Sequence, residues 1–363
     1  MKKLTYLIIS ALTAASLISC EKEFTIRSGF GEGMVFLKFV PSNVSDTTFL
    51  SIQQTTPLND SRHPRTTEGE SVAVSVNGSP VNLTKQSYAA QTTGPQNYLL
   101  KRRFAVGDKV EVRGSIPGAK SVESSFTVPT AFPEYSLKTH VEGLDEYFSQ
   151  ICFDVEYENT PESSGCYGLA VLKETTFKSR HGIADAFTQT ITWGDTSIFV
   201  GYSYEYPESI GDLGITSSGQ EPMVFYSYAL DRIFGRRESP NILAWKDAPD
   251  SRNGKGSHQI RVYYEEERTL GEMPPDWFFK EYGGTQASWD FSIQTTTHRY
   301  KLILYSFSEE LYNYLKADYN MTNNELSEIG LSPASFTYTN VKDGIGVCGA
   351  YTVSESDWIK VNR

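Results

Sequence analysis

Tyr202, Tyr204 and Tyr206 alternate along one extended segment, and Trp277-Phe278-Phe279 follows Pro274-Pro275. Rigid rings at a surface stack on a sugar, a peptide or a partner protein, which makes Tyr202, Tyr204, Tyr206 and Trp277 the candidate ligand-binding residues. The same period of two also fits a strand with one face in a core, and burial is the commoner fate of such rings. Arg232, Arg236 and Arg237 form the densest basic group, suited to gripping an anion or to a solvated face. The histidines, His63, His140, His181, His258 and His298, are scattered without HxH or HExxH, and each reads as a surface or loop residue. The run from Asp247 to Gly254 carries calcium-type oxygen donors, but its spacing departs from the EF-hand and Arg252 lies inside it, so it reads as a solvated loop. There is no GxSxG elbow and no GxxxxGK[ST] loop, and 44 acidic residues guarantee chance carboxylate pairs without singling out a glycosidase pair. No catalytic residue, metal or cofactor is assigned.

The first twenty residues, MKKLTYLIISALTAASLISC, place two lysines before an apolar run from Leu4 to Ile18 and end on small Ser19 and Cys20. Such a run is short for a bilayer span and has the layout of a secretory signal. Leu17-Ile18-Ser19-Cys20 resembles the bacterial lipoprotein processing signal, in which the cysteine thiol receives a diacylglycerol before cleavage and the mature chain begins at the acylated residue. On that resemblance residues 1–19 are the signal peptide, Cys20 carries diacylglycerol and palmitate, and residues 20–32 form a tether; an ordinary signal peptide is the alternative. Several acyl chains on one residue anchor far more firmly than one, at about 0.8 kcal/mol per buried methylene. Glu21-Lys22-Glu23 resembles the surface-export signal of Bacteroidota lipoproteins. The remaining cysteines, Cys152, Cys166 and Cys348, are odd in number, so at most one disulfide forms among them; Cys152 with Cys166 or with Cys348 are the pairings considered.

The formal charge is −11, and discarding Lys2 and Lys3 with the leader takes it to −13 with no basic block, which argues against nucleic acid as a partner. Hydrophobic residues at 39% against 21% charged supply enough apolar area for a core and exclude wholesale disorder. From Gly33 the chain runs in short β segments: 34–40, 72–76 with the Asn77-Gly78 hairpin signal, 97–104, 109–113 with strict alternation, and 121–128. These predict an immunoglobulin- or fibronectin-like β-sandwich over residues 33–130. Pro129 and Pro133 mark a boundary, and residues 131–363 are expected to form a larger, mostly antiparallel β domain. Its strand candidates are 149–157, 167–177, 189–193, 198–206, 223–228, 259–264, 289–295 and 300–307. One helix is expected, over 308–319, capped by Ser306 or Ser308 and placing Leu311, Tyr312, Leu315 and Tyr319 on one face. Loops over 207–220 and 246–256 are the expected sites of binding.

The segments from Tyr305 to Leu315 and from Thr339 to Ala350 resemble the C-terminal signature of an uncharacterised Bacteroidota surface-lipoprotein family, a domain of unknown function typically encoded beside TonB-dependent outer-membrane receptors. The N-terminal half is similar too, through the lipoprotein cysteine, the Asn-Gly turn and Phe126-Thr127-Val128-Pro129, although the family more usually has Phe where this chain has Cys348. Read locally, Gly344, Gly346 and Gly349 allow tight turns and close backbone approach, and Asn340 can bond its own turn. The resemblance implies a lipid-anchored outer-membrane protein, exposed at the cell surface, with a TonB-dependent β-barrel receptor as partner and a small ligand such as a peptide, glycan or metal chelate. The resulting expectation is a non-catalytic accessory that captures ligand or covers the receptor's mouth. A structural or adhesive, fimbrial-type lipoprotein is the alternative, and a carbohydrate-acting enzyme the third reading.

Overall fold

The computed structural model describes residues 33–55, 69–86, 98–143, 149–207, 222–234, 239–247, 254–323 and 338–361, and within them the fold is mainly β. The first eight strands are β1 (Val35–Phe39), β2 (Thr47–Gln54), β3 (Ser71–Val76), β4 (Ser79–Val81), β5 (Thr84–Lys85), β6 (Tyr98–Lys101), β7 (Lys109–Ser115) and β8 (Val122–Thr127). Then come β9 (Tyr135–Gly143), β10 (Ser149–Glu158), β11 (Cys166–Asp185), β12 (Thr190–Glu205), β13 (Met223–Phe225), helix α1 (Ser227–Phe234), β14 (Ile242–Lys246), β15 (Lys255–Tyr263) and β16 (Arg268–Leu270). Helix α2 (Asp276–Tyr282), β17 (Ser288–Phe307), helix α3 (Glu309–Thr322), β18 (Ile345–Cys348) and β19 (Tyr351–Glu355) complete the order.

Two sheets, β18-β1-β2-β6-β5 and β4-β3-β7-β8, face each other over Leu37, Phe39, Leu50, Ile52, Val110, Val112 and Phe126. The alternation predicted for 109–113 is realised, with Val110 and Val112 fully buried and their neighbours wet. Asn77 and Gly78 take φ of 53° and 79° at the β3–β4 turn, the left-handed conformations that an Asn-Gly hairpin needs. This sandwich is not confined to residues 33–130: β18 returns from the C-terminal region and pairs with β1 in parallel, Leu37 opposite Gly346. Asn340 holds that return in place, donating from Nδ2 to the Cys348 carbonyl at 2.6 Å and accepting from its amide at 3.0 Å.

The second unit stacks β15-β10-β9 against one face of the β13-β14-β11-β17 sheet, around Phe153, Tyr167, Trp245, Tyr300 and Leu302. The opposite face of that sheet is covered by α1 and α3 through Leu230, Ile233, Leu311, Tyr312 and Leu315. Three helices are described where one was expected. The residues at 226–228 that look strand-like leave β13 and enter α1, whose one apolar face (Ala229, Leu230, Ile233) packs inward. Helix α3 matches its prediction, with Ser308 as N-cap accepting from the Leu311 amide; Ser306 stays buried in β17. Cys152, Cys166 and Cys348 are all buried thiols, and none of the disulfides considered is formed.

The candidates 189–193 and 198–206 are one continuous strand, β12, and 289–295 with 300–307 are likewise one strand, β17. Strands of 16 to 20 residues are several times the usual length. Beyond Lys173 the facing sheet has ended, and the outer halves of β11, β12 and β17 run on as an arm. At its tip, Phe278 of α2, Phe291 and Ala184 form a small separate core.

Candidate functional site

Strand β12 pairs only with β11 among the described residues, so its other edge is open. The register puts Tyr202 opposite Glu174 and Tyr204 opposite Leu172, while β17 brings Arg299 and Lys301 to the far side of the same two positions. Glu174 is buried and accepts two bonds from Arg299, from Nε at 2.5 Å and Nη2 at 2.7 Å. Those bonds hold its carboxyl below the usual range, and the same carboxylate raises the Tyr202 hydroxyl. Arg299 and Lys301 lie over the ring of Trp358 at 4.6 and 4.8 Å, and Tyr202 packs beside that ring at 6.3 Å. At the other end, Tyr206 meets Tyr226, which stacks on Tyr228 at 5.6 Å and on Tyr319 at 6.4 Å.

A row of rings thus runs along one side of β12, from Trp358 past Tyr202 and Tyr204 to Tyr206 and its tyrosine neighbours. Tyr202, Tyr204 and Tyr206 are 63%, 45% and 53% exposed, so the inward reading of their alternation is overturned. Alternation fixes that the three share a side; Tyr204, opposite Leu172, lies on the face that α1 and α3 cover further along the sheet, and those helices leave all three rings exposed. Ile198 and Val200 extend the row toward the tip, and on the reverse side exposed Phe199 lies against Phe177 at 6.1 Å. Cation–ring contacts and the Glu174–Arg299 fork pin Tyr202 and Trp358 in place, a rigid apolar surface suited to stacking or protein contact. Trp277 is half exposed but sits on α2 against Trp289 and Tyr282. Since Trp289 pairs with Ala184, ten positions along β11 from the partner of Tyr202, Trp277 sits at the far end of the arm and apart from the tyrosine row.

Two groups of buried polar residues carry no sequence signature. Asp247, expected in a solvated loop, is 3% exposed and accepts from Tyr157 Oη at 2.9 Å and Asn159 Nδ2 at 2.6 Å. Trp245 Nε1 donates to the same Tyr157 oxygen at 2.8 Å, and Gly256 leaves the space that the Tyr157 ring fills. His258, buried rather than on a surface, lies between Tyr157 and Trp245 with burial holding its pKa down against the pull of Asp247. The second group, where the sandwich meets the arm, joins Lys173 to Glu205 at 3.2 Å and Glu265 at 3.1 Å, with buried His298 beside Thr175 at 3.1 Å. Burial lowers the His298 pKa, opposed by Glu265.

Both histidines have folded-state values below their ordinary 6.5, so the unfolded chain binds more protons near and below that pH. Their stabilisation is complete above pH 6.5 and declines as the pH falls through it. The unfolding free energy from urea titration is expected to be lower at pH 5.5 than at 7.5, by at most about 1.4 kcal/mol per histidine for each pH unit, and the difference to shrink in His258→Phe.

Arg232 is engaged by Asp318, and Arg236 and Arg237 lie outside the described residues, as do His63, Cys20, the leader and most of both loops expected to bind. A cleft of about 500 Å³ is lined by Glu134, Glu156, Glu158 and Lys255. Glycoside hydrolysis needs one carboxyl held up; Glu123, Glu142, Glu174 and Glu265, outside this cleft, are each shifted down.

A family model described as a domain of unknown function, DUF4249, matches residues 39–357, which takes in both sandwiches, the arm and the C-terminal return. The chain belongs to the DUF4249 family. No curated protein matches this DUF4249 chain. Among solved structures, an enterococcal surface protein, partial N-terminal region, is 10% identical over 75% of this chain and 90% of its own, with a TM-score of 0.15, too low to carry any argument. No helix among the described residues is long and apolar enough to cross a membrane.

Proposed function

We propose that this DUF4249 protein is an outer-membrane lipoprotein, anchored through Cys20 and exposed at the cell surface, that serves as a non-catalytic accessory of a TonB-dependent receptor. The observation that carries a contact role is the open side of β12, where Ile198, Val200, Tyr202, Tyr204 and Tyr206 are all well exposed. Contiguous apolar surface of this kind marks protein contacts or ligand grooves in stable proteins. The arm stands clear of the sandwiches and would present this side to a receptor's extracellular loops or to a peptide, glycan or metal chelate held between them. The receptor as partner, and Bacteroidota as the source, rest on the resemblance of the leader and of the C-terminal segments.

The second reading, a structural or adhesive lipoprotein, is favoured by the same strand seen from its edge. The open edge of this 16-residue strand, with a central Ile198-Phe199-Val200, invites pairing with another copy. Mass spectrometry of what co-purifies with the C-terminally tagged chain from gently solubilised native outer membranes separates the two. A barrel in near-equal amount supports the accessory role, and ladders of the chain alone support adhesion.

A further inference from the structure

The outward face of the β9-β10-β15 sheet carries a constellation that the function above does not use. His140 and Glu142 project from the same side of β9, two positions apart, and Cys152 of β10 lies directly opposite His140. One nitrogen of His140, a carboxylate oxygen of Glu142 and the Cys152 sulfur all lie within 4.8 Å of one another. Cys152 has no exposed surface although it points away from the sandwich core, while His140 and Glu142 are 44% and 40% exposed above it. We infer that His140, Glu142 and Cys152 form a binding site for a single divalent transition-metal ion, zinc by preference.

Three features support this assignment. The donor set of one thiolate, one imidazole and one carboxylate is that of zinc, and a hard ion such as calcium or magnesium would not select the sulfur. The distance from His140 Nε2 to Glu142 Oε1 is 3.1 Å, close to the edge of about 3.3 Å that two ligands with bonds of about 2.0 Å span on a tetrahedral ion. The Cys152 sulfur lies within 4.8 Å of both of these donors. The other nitrogen of His140, Nδ1, faces Asp154 Oδ2 at 3.2 Å, which is the carboxylate that orients a metal-binding imidazole from behind. Asp154 is itself fixed by Gln259 Nε2 at 2.6 Å, and Gln259 Oε1 accepts from Arg261 Nε at 2.6 Å. The ion replaces the thiol proton, which passes to solvent, and the fourth coordination position faces outward, open to water or to a donor from a bound molecule.

The test is a Co²⁺ titration of the full chain, purified in detergent without a histidine tag, followed by displacement with Zn²⁺. One equivalent of Co²⁺ is expected to give a thiolate-to-cobalt charge-transfer band that zinc abolishes. The band should be absent in Cys152→Ser. His140→Asn, at an exposed position that tolerates change, should weaken binding at least tenfold, and Asp154→Asn by about 10- to 100-fold with the band preserved at saturation. Absence of the band in the folded wild-type chain, or its persistence in Cys152→Ser, would overturn the assignment. If Cys152→Ser does not fold, as circular dichroism would show, unchanged affinity in His140→Asn overturns it equally.

Discussion

Gly346→Ala is expected to lower the melting temperature by about 6–12 °C. Gly346 has φ of 123°, and a Cβ there would sit 2.0 Å from the Leu37 carbonyl oxygen and 2.9 Å from its carbon. Both atoms belong to the backbone of β1, the strand that β18 must approach to complete the first sheet. No side chain can give way, so the strand pair itself must open. A strained backbone costs about 1–3 kcal/mol, and the loss of Val347 and Cys348 burial adds to it. At about 2–4 °C per kcal/mol for a unit of this size, a total near 3 kcal/mol gives the stated range. Gly78→Ala is the control, because Gly78 also has positive φ yet has nothing within 4 Å of the added carbon; thermal unfolding should show a drop of about a third as much. Equal drops in the two variants would mean that the C-terminal return does not close the first sandwich.

The triple change Ile198→Lys, Val200→Lys and Tyr202→Ala is expected to weaken capture of the partner at least about 30-fold while leaving the fold intact. The three side chains share one side of β12 and are 60%, 42% and 63% exposed, so surface substitutions there cost little stability. Apolar anchors at the centre of an interface commonly contribute about 2 kcal/mol or more when removed, which is roughly 30-fold, and two added charges raise that loss. Affinity measured against the purified partner, with the melting temperature as the companion reading, separates loss of contact from loss of fold.

Much of the architecture was legible because it depends on local pattern. The alternation over 109–113, the Asn77-Gly78 turn and the single-faced apolar residues of α3 each carry their structure in neighbouring residues. The reach of β11, β12 and β17 was not legible, since Thr295-Thr296-Thr297 interrupts the apolar signal of β17 just beyond the core and Gly194-Asp195-Thr196 interrupts that of β12 near the tip. Polar residues on an uncovered arm look like loops. Exposure of Tyr202, Tyr204 and Tyr206 depends on how far α1 and α3 extend over their side of the sheet, which is a property of other segments. The burial of Asp247 and His258 and the meeting of His140 with Cys152 likewise come from strand register between distant residues, and register leaves no mark in a single sequence. An HxE pair on a strand followed ten residues later by a cysteine was the nearest available signal.

The central claim is that the open side of β12 touches another protein at the cell surface. A photo-crosslinking residue placed at Val200 in the full chain, irradiated in intact cells and analysed by mass spectrometry, tests it most directly. The account predicts an adduct with a TonB-dependent β-barrel. An adduct with a second copy of the chain alone, or none above that of a crosslinker placed at the exposed β7 position Glu111, would contradict it.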